Sequence, residues 1–434
     1  MNNSAGIITK LQFNEKRERA LLAGLQLSGE DRVDVEDSLY ELSQLAETAG
    51  AVVVGNVVAK RETPTANYYI GEGKAEEIKQ LCIEKKIDIV IFDDDLSPAQ
   101  VKNLQDLFGI KVLDRTELIL DIFAIHARSK EGRLQVELAQ LQYMLPRLTH
   151  AWSHLSRQWG GVGTRTRGPG EKQLEVDRRR VRERITRLSK ELERVHGHRK
   201  LQRKRRERKG IPLISIIGYT NAGKTTLFNN LTSSSMPSEN QLFTTLDPKI
   251  KKFIFPNKQQ VLISDTVGFI RKLPHHLVES FKATLEEVYE ADLLLHVVDG
   301  SSKKIEEYSE VVLKLLKELD VITKPILTVI NKIDLLDNDE VLIRKLKKRI
   351  HGGIPLSAKT GEGIDALVQT MQDEMNSLRE TLDLFIPSQL LGVVAKLYAL
   401  GNVISIKYLQ KGAKIKVELP KVSAGEFKKW IVEK

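Results

Sequence analysis

A glycine-rich stretch near the middle of the chain has the spacing of a phosphate-binding loop. Residues 218–225 read GYTNAGKT and match the pattern G-x-x-x-x-G-K-[ST], between a strand-like run and a helix-forming run. In such a loop the backbone N–H groups surround phosphate oxygens, the lysine places a positive charge on the β and γ phosphates, and the hydroxyl ligates Mg²⁺. We therefore predict a catalytic role for Lys224 and a metal-ligand role for Thr225. The predicted phosphate-binding residues are Gly218, Tyr219, Thr220, Asn221, Ala222, Gly223, Lys224, Thr225 and Thr226.

A second motif, D-x-x-G, follows the next strand-like run. Asp265 is expected to hold Mg²⁺ through a water molecule, and the backbone N–H of Gly268 is expected to meet the γ-phosphate as a second catalytic group. Because loss of that phosphate would release the contact, the segment is predicted to be a switch. Thr245 is predicted to be the other hydroxyl ligand of the metal and a third catalytic residue, with Thr244 as its competitor. The other nucleotide contacts predicted in these two segments are Phe243, Thr244, Leu246, Asp247, Thr266 and Val267.

Two further motifs indicate a guanine pocket. The sequence NKID at 331–334 and the sequence SAK at 357–359 each follow a strand-like run. A carboxylate at Asp334 can accept hydrogen bonds from guanine N1–H and the exocyclic amine, whereas adenine leaves it unpaired, which discriminates by about 10⁴-fold. The motifs together predict a GTP hydrolase that uses Mg²⁺, cycles between GTP and GDP, and disfavours ATP. The predicted base-pocket residues are Asn331, Lys332, Ile333, Asp334, Ser357, Ala358 and Lys359.

The position after Gly268 is occupied by Phe269, where many small GTPases have a glutamine that orients the attacking water. A phenyl ring can neither donate nor accept a hydrogen bond of that kind. We therefore expect slow intrinsic hydrolysis, with the water positioned by the backbone, by another side chain or by a partner.

The elements around these motifs predict an α/β fold in several domains. At 434 residues the chain exceeds one ordinary core. Strand-like runs alternate with helix-like segments before and after the phosphate loop, which predicts a mostly parallel sheet in the nucleotide-binding part. The predicted domains are an N-terminal α/β domain at 1–114, a helical hairpin with a basic glycine-rich tip at 115–209, a P-loop GTPase domain at 210–378, and a small C-terminal α/β domain at 379–434.

Two local signals in the N-terminal part predict helix starts. Ser97 and Pro98 fit the cap and first turn of a helix. The run GEGK at 71–74 resembles a phosphate loop faintly, but it lacks the spacing and the hydroxyl residue, so a turn before a helix is favoured. A second nucleotide site there is the alternative.

The hairpin prediction rests on two heptad seams that flank a glycine-rich connection. The first seam comprises Leu134, Leu138, Leu141, Leu145, Leu148, Trp152 and Leu155. The second seam comprises Leu174, Val181, Ile185, Leu188, Leu192 and Val195. Pro146 lies inside the first seam and should kink or break the helix. The connection predicts an antiparallel return of the second helix.

The tip of this hairpin and the helix that follows it carry much of the basic charge. Residues 165–209 contain 19 Lys or Arg against 7 Asp or Glu, an excess larger than the net charge of +10 for the whole chain. In the tip, at 160–171, six of the twelve residues are Gly or Pro, so the backbone could approach a phosphate chain closely. A solvated basic connector is the alternative. The predicted RNA contacts are Arg165, Arg167, Gly168 and Gly170.

Composition limits the location of the protein. It is 41% hydrophobic and 29% charged, with no apolar run long enough to span a bilayer and no signal-like N-terminus, so no membrane insertion is expected. The single Cys82 fits a reducing compartment and is expected to be a small buried residue. We expect a cytoplasmic monomer, with peripheral membrane association left open.

Several blocks outside the nucleotide motifs resemble the HflX family of ribosome-associated GTPases over nearly the whole chain. These blocks are YIGEGK at 69–74, IFDDDLSPAQ at 91–100, DRT at 114–116, LQVELAQL at 134–141, RGPGE at 167–171 and DTVGFI at 265–270. Phe269 is typical of that family. The chain departs from the family pattern at Lys172, where threonine is expected, and at 164–167, which contains an extra Thr-Arg pair.

The resemblance implies binding to the large ribosomal subunit, with the hairpin tip reaching ribosomal RNA near the peptidyl transferase centre. It further implies that the GTP cycle splits or rescues stalled ribosomes under stress. A role in assembly of the large subunit is an alternative with the same chemistry. A signalling switch that binds protein effectors, with the hairpin as a mere solvated coiled coil, is an alternative of another class.

Overall fold

The structure is a computed structural model that describes residues 17–149, 170–208, 211–234, 242–243, 249–272, 286–336, 339–377, 379–390 and 392–431. The chain divides into two compact units. The first comprises Met1–Arg194, Glu239–Asp247 and Ile270–Ala283, and the second comprises Val195–Ser238, Pro248–Phe269 and Thr284–Lys434. The four predicted domains do not correspond one to one to these units and remain a prediction. In the described part of the chain, no helix is long and apolar enough to cross a membrane.

A parallel four-stranded sheet forms the core of the first unit, as expected for an α/β domain. Its strands are β1 (Arg19–Leu27), β2 (Val52–Arg61), β3 (Ile89–Phe92) and β4 (Lys111–Asp114), in the order β2-β1-β3-β4. Its helices are α1 (Arg32–Thr48), α2 (Glu72–Glu84), α3 (Pro98–Phe108) and α4 (Arg115–His126). Every side chain of β3 is buried, because helices cover a parallel sheet on both faces. The carboxyl ends of these strands therefore share one edge of the sheet.

Both predicted helix starts are confirmed. Ser97 caps α3 in a capping box with Gln100, and Pro98 occupies the first turn. Gly71 precedes α2 with a φ of 89°, and a Cβ at this position would overlap the guanidinium of Arg61. Gly71 is thus the cap of α2 and residues 72–74 form its first turn, and the glycine is favoured at 71 by conformation and by crowding. Cys82 is buried on α2.

The two seams form an antiparallel helix pair, as predicted. Helix α5 (Lys130–Met144) and helix α6 (Gly170–Arg208) pack through a cluster of leucines. Lys130 pairs with Glu191 at 2.7 Å, and Glu137 pairs with Arg184 at 2.7 Å. The later residue of α5 pairs with the earlier residue of α6, which shows that the two helices are antiparallel. The buried leucines of the cluster are Leu134, Leu138, Leu188 and Leu192.

Helix α5 ends earlier than the first seam would allow. Met144 is its last residue, and a 3-10 turn at Arg147–Thr149 follows. The break predicted at Pro146 is therefore confirmed, since proline cannot continue the hydrogen-bond ladder. The seam positions Trp152 and Leu155 lie outside the described residues.

A six-stranded sheet forms the nucleotide-binding part of the second unit. Its strands are β5 (Leu213–Gly218), β6 (Lys249–Ile254), β7 (Gln260–Asp265), β8 (Leu293–Asp299), β9 (Ile326–Asn331) and β10 (Ile354–Pro355). The order is β10-β9-β8-β5-β7-β6, and only β6 runs antiparallel to its neighbour, which confirms the mostly parallel sheet. Its helices are α7 (Lys224–Thr232), α8 (Glu286–Glu290), α9 (Ile305–Glu318), α10 (Glu340–Arg349) and α11 (Ile364–Ser377). The predicted motifs follow the carboxyl ends of β5, β7, β9 and β10, which lie at one edge of the sheet.

The last part of the second unit is a small antiparallel sheet with helices on one face. Its elements are β11 (Arg379–Pro387), α12 (Gly392–Leu400), β12 (Asn402–Leu409), β13 (Gly412–Pro420), α13 (Lys421–Ala424) and a 3-10 turn at Gly425–Trp430. The strand order is β11-β13-β12. Leu397 and Phe427 pack on Ile415 in a common apolar core.

Candidate active site

The phosphate loop has the backbone conformation that its glycines predict. Asn221 has a φ of 59° and Gly223 a φ of 91°, which turn successive N–H groups toward one side before α7 begins. A Cβ on Gly223 would lie 2.2 Å from Nδ2 of Asn331, so no other residue fits at this position. The loop is therefore shaped by its own sequence and by a side chain from β9.

Lys224 is buried beside the loop that it is expected to serve. Its Nζ donates a hydrogen bond to the carbonyl of Tyr219 at 2.7 Å. Burial lowers the pKa of Lys224 to about 8, against the charge of Asp265, which raises it. A buried ammonium group has lost part of its hydration. An anionic ligand such as a phosphate would compensate for that loss, so Lys224 is suited to bind one.

Thr225 and Asp265 form the polar pair expected of a magnesium site. The Thr225 Oγ1 donates a hydrogen bond to Oδ2 of Asp265 at 2.8 Å, and both side chains are buried. The pairing of β5 with β7 places Asp265 opposite Ile216, whose carbonyl accepts a hydrogen bond from Thr266 Oγ1 at 2.6 Å. A hydroxyl and a carboxylate are hard oxygen donors of the kind that Mg²⁺ prefers.

This donor set fits Mg²⁺ bound together with phosphates. Among the residues that the structure describes, no group of three or more His, Cys, Asp or Glu side chains could hold a metal ion alone. Mg²⁺ usually takes one or two protein oxygens, with substrate phosphates and water completing the octahedron. Thr225 and Asp265 would therefore hold the ion only with nucleotide present.

Gly268 lies so close to the loop that a side chain cannot be accommodated. A Cβ there would lie 2.9 Å from Nζ of Lys224 and 2.7 Å from Cγ2 of Thr220. Its backbone N–H is thus in the neighbourhood of the lysine that is expected to meet the same phosphate. The role predicted for the Gly268 N–H stays a prediction.

Phe269 is fixed to both sides of the phosphate loop. Its N–H donates a hydrogen bond to the carbonyl of Gly218 at 3.1 Å, and its carbonyl accepts one from the N–H of Thr220 at 2.8 Å. The ring is only 3% exposed. Phe269 therefore has a structural role as a buried anchor beside the phosphate loop.

One amide side chain joins three of the predicted motifs. Nδ2 of Asn331 donates to the carbonyl of Ala222 at 2.8 Å, and its Oδ1 accepts from the N–H of Ala358 at 2.9 Å. Asn331 is buried, so both bonds are protected from water. The phosphate loop and the SAK segment are thus held in a fixed relation.

Asp334 is oriented by the same segment. Its Oδ1 accepts a hydrogen bond from Ser357 Oγ at 2.6 Å, and that hydroxyl in turn accepts one from the N–H of Thr360 at 3.1 Å. The other carboxylate oxygen can then face a base. Selection of guanine by Asp334 stays a prediction.

Two residues near the site were not identified from the sequence. The ring of Tyr308 stacks on Tyr219 with centroids 4.4 Å apart, and Asp299 pairs with Lys332 at 2.7 Å. Asp299 ends strand β8 at the edge where the motifs lie, and a carboxylate directly after an apolar strand-like run could have been predicted from the sequence to lie near the site. Tyr308 lies on a helix and carried no such signal.

A buried histidine lies on the central strand β8 of the same sheet. His296 is opposite Ile217 on β5 and Thr328 on β9, and it is 1% exposed. Burial lowers its pKa to about 4, with a further contribution from the charge of Lys224. His296 is therefore neutral at physiological pH.

Two short segments at the predicted switch motifs, Glu239–Asp247 and Ile270–Ala283, belong to the first unit. Phe243, predicted as a nucleotide contact, packs edge to face on Phe123 with centroids 4.8 Å apart. Lys272 pairs with Asp93 and with Asp94, each at 2.6 Å. Burial alone would lower the pKa of Lys272, but the two carboxylates raise it above its usual value.

A buried arginine organises the carboxylates of that cluster. Arg115 pairs with Asp93 at 2.7 Å and with Glu41, and its Nη2 donates to the carbonyl of Arg271 at 3.2 Å. Ser38 Oγ donates to the other oxygen of Asp93 at 2.7 Å. The cluster was not predicted from the sequence.

Several predicted site residues lie outside the described residues. These are Thr244, Thr245, Leu246 and Asp247, together with Arg165, Arg167 and Gly168 of the hairpin tip. Gly170 is the first residue of α6. Their roles remain predictions, as does the choice between Thr244 and Thr245.

Three family models match consecutive parts of the chain. They are described as GTP-binding GTPase N-terminal at residues 36–124, GTP-binding GTPase Middle Region at 126–206 and 50S ribosome-binding GTPase at 213–332. The GTPase HflX of Caldanaerobacter subterraneus subsp. tengcongensis is 46% identical over 420 residues, which is 95% of this chain and 95% of that protein. The GTPase HflX of Escherichia coli (strain K12) is 45% identical over 79% of this chain and 80% of that protein.

Solved structures also resemble the chain. A crystal structure of a GTP-binding protein from the hyperthermophilic archaeon Sulfolobus solfataricus in complex with GDP is 29% identical. It covers 83% of this chain and 99% of that chain, with a TM-score of 0.43.

Proposed function

Since this chain belongs to the HflX family of GTPases, we propose that its GTP cycle controls binding to the large ribosomal subunit and splits or rescues stalled ribosomes under stress. The chain is a GTP hydrolase with a ribosome-binding type of GTPase domain. The proposal names the ribosome as the target of this GTPase and assigns the residues that bind and hydrolyse GTP.

The hydrolytic part of the proposal follows from the edge of the six-stranded sheet. Lys224 supplies charge to the β and γ phosphates, and Thr225, Asp265 and the predicted Thr245 hold Mg²⁺. The ion, when bound, neutralises the charge that develops on the phosphates. The Gly268 N–H senses the γ-phosphate beside Lys224, so hydrolysis changes the D-x-x-G segment.

Guanine selection is assigned to Asp334. Ser357 donates to one oxygen of this carboxylate, which leaves the other for the base. Asn331 hydrogen-bonds both the phosphate loop and the SAK segment at 357–359. The parts of the site proposed to bind the phosphates and the base are therefore held in a fixed relation.

The single observation that carries the ribosomal part is the antiparallel pairing of α5 with the arginine-rich α6. The leucine cluster buries one side of α6 and leaves basic residues exposed on the other. The exposed residues include Arg179, Arg180, Arg182, Arg187, Lys190 and Arg194. A basic helix of this kind, leading from a glycine-rich tip, suits the phosphate backbone of ribosomal RNA.

Sedimentation of intact ribosomes tests the proposal. The protein with a non-hydrolysable GTP analogue is expected to convert intact ribosomes to subunits, and the double variant Arg165→Gln/Arg167→Gln is expected to lose this activity. A matched control removes two exposed arginines from helices elsewhere, Arg32→Gln/Arg344→Gln, and should behave as wild type. Unchanged ribosome profiles with wild-type protein would contradict the splitting role.

Two further binding measurements, with precursor particles and with RNA across a salt titration, separate the alternatives. Binding only to precursor particles would indicate assembly of the large subunit instead. Absence of any salt-sensitive RNA binding would favour a protein-binding signalling switch, because phosphate neutralisation gives a log–log salt slope of about −0.7 to −0.9 per contact.

We further propose that the protein acts in the cytoplasm as a monomer, where its ribosomal substrate is found. Cell fractionation and light scattering test these two points. Recovery with membranes after a salt wash would point to peripheral membrane association.

A further inference from the structure

Among the described residues, one face of the small C-terminal sheet exposes several lysines. Side chains of β13 alternate, so that Lys414 and Lys416 are exposed while every odd-numbered residue from 413 to 419 is buried. The buried side is covered by α12 and the 3-10 turn through Leu397 and Phe427. The two lysines therefore lie on the opposite face.

The strand register brings a third lysine and an aromatic ring into the same row. Lys414 pairs with Lys407 of β12 on one side and with Phe385 of β11 on the other. Directly opposite residues have Cβ atoms about 5 Å apart, and like charges in this position destabilise a sheet. Lys407 is exposed and Phe385 is half-buried. We call Lys407, Lys414 and Lys416 the lysine face.

Neighbouring carboxylates offset only part of the charge of the lysine face. Glu418, two positions beyond Lys416, pairs with Arg379 at 3.6 Å. Asp383 lies opposite Lys416 in the register. Among the residues that the structure describes, no carboxylate oxygen lies within 4.0 Å of an Nζ atom of the lysine face. Asp383 offsets at most one of the three positive charges, because Glu418 is engaged by Arg379, so the lysine face keeps a net positive charge.

We propose that the lysine face binds the phosphate backbone of RNA. A row of phosphates matches this surface in charge, and Lys414 and Lys416 are spaced by about 7 Å along an extended strand, so they can meet separate phosphates. The ring of Phe385 in the same row offers a surface on which a base can stack, which an acidic peptide would not need. The identification of the RNA as ribosomal rests on the proposed function, but binding of RNA by this face does not.

Salt dependence of RNA binding tests the proposal with the full-length protein. The probe is RNA extracted from large ribosomal subunits, and the variant is Lys407→Gln/Lys414→Gln/Lys416→Gln. Each lost phosphate contact lowers the steepness of the log–log salt slope by about 0.7 to 0.9, so a total reduction of about 2 to 3 is expected. The control Lys345→Gln/Lys347→Gln/Lys348→Gln removes the same charge from exposed positions on α10 and should retain the wild-type slope.

Equal slopes for the wild type and the lysine-face variant would overturn the proposal. An equal loss in the α10 control would do the same, because it would show a general charge effect. Thermal unfolding of both variants checks that each is folded before the slopes are compared.

Acetylation footprinting of the unmodified protein gives a second readout that needs no variant. Naked RNA is expected to protect Lys407, Lys414 and Lys416 several-fold while leaving Lys345, Lys347 and Lys348 reactive. Protection by intact subunits but not by naked RNA would assign the face to a protein partner and would overturn the proposal. Failure to split ribosomes, with these lysines still protected by RNA, would contradict the proposed function alone.

Discussion

Thr225 Oγ1 and Asp265 Oδ2 are 2.8 Å apart, although 40 residues separate them in the chain. The distance is set by the parallel pairing of β5 with β7, because Asp265 ends one strand and the phosphate loop leaves the other. Both oxygens are buried at the same sheet edge as Lys224. The pair therefore lies where the sequence predicts two of the metal ligands.

Replacing the Thr225 hydroxyl should impair Mg²⁺-dependent GTP hydrolysis. Thr225→Val is expected to reduce the rate of Mg²⁺-dependent GTP hydrolysis by about 100-fold, because one inner ligand of the ion is lost. The control is Thr232→Val on the same helix, whose hydroxyl is hydrogen-bonded to Phe228 O and Ser234 Oγ at the end of that helix. Steady-state hydrolysis across a Mg²⁺ titration measures both, and a Thr225→Val variant with wild-type Mg²⁺ dependence would refute the assignment.

The Asp334 carboxylate should determine the base. Asp334→Asn places a donor where guanine also donates, and it is expected to lower the preference for GTP over ATP by about 10³-fold or more. Ser357→Ala removes only the hydrogen bond that orients Asp334 and should weaken GTP binding by about tenfold. Competition binding with both nucleotides distinguishes these effects, and an Asp334→Asn variant that retains guanine preference contradicts the prediction.

The buried arginine of the first unit should matter greatly for stability. Arg115→Met leaves the carboxylates of Glu41 and Asp93 without their main partner in the interior, which is expected to cost about 3 to 5 kcal/mol. Arg344→Met breaks an exposed pair with Glu340 and should change stability by less than about 1 kcal/mol. Urea unfolding gives both values, and similar losses would show that the Arg115 cluster is not a structural core.

His296 should make the second unit sensitive to acid. Burial lowers the pKa of His296 from 6.5 to about 4. Between these two pH values His296 is protonated in the unfolded chain but neutral in the folded chain. The contribution to stability is therefore complete above pH 6.5 and falls as pH drops toward 4, by about 3 kcal/mol at most. His296→Leu should flatten the pH dependence of unfolding in this window, whereas His351→Leu, at an exposed position, should not. Parallel curves for wild type and His296→Leu would contradict the prediction.

Local motifs allowed much of this structure to be predicted. The loop from Gly218 to Thr225 and the turn at Gly71 depend on backbone conformations that a few neighbouring residues impose. The break near Pro146 and the cap at Ser97 have the same local origin. Apolar periodicity likewise predicted the leucine contacts of the helix pair.

Contacts between distant residues carried no comparable signal. Lys272 meets Asp93 across 179 positions, and Arg115 meets Glu41 across 74. Any of many lysines and carboxylates could have formed such pairs, since charge alone has little directional preference. Strand β1 was missed as well, although most of its side chains are buried. The lysine face became visible only when the strand register was known.

The two hydrogen bonds of Phe269 determine where the D-x-x-G segment can move. Its backbone bonds to Gly218 and to Thr220 make it an extension of the central sheet, while Ile270 begins a stretch that belongs to the other unit. Phe269 is therefore expected to stay with the phosphate loop when the γ-phosphate departs. The rearrangement predicted for the D-x-x-G segment would then begin at Ile270.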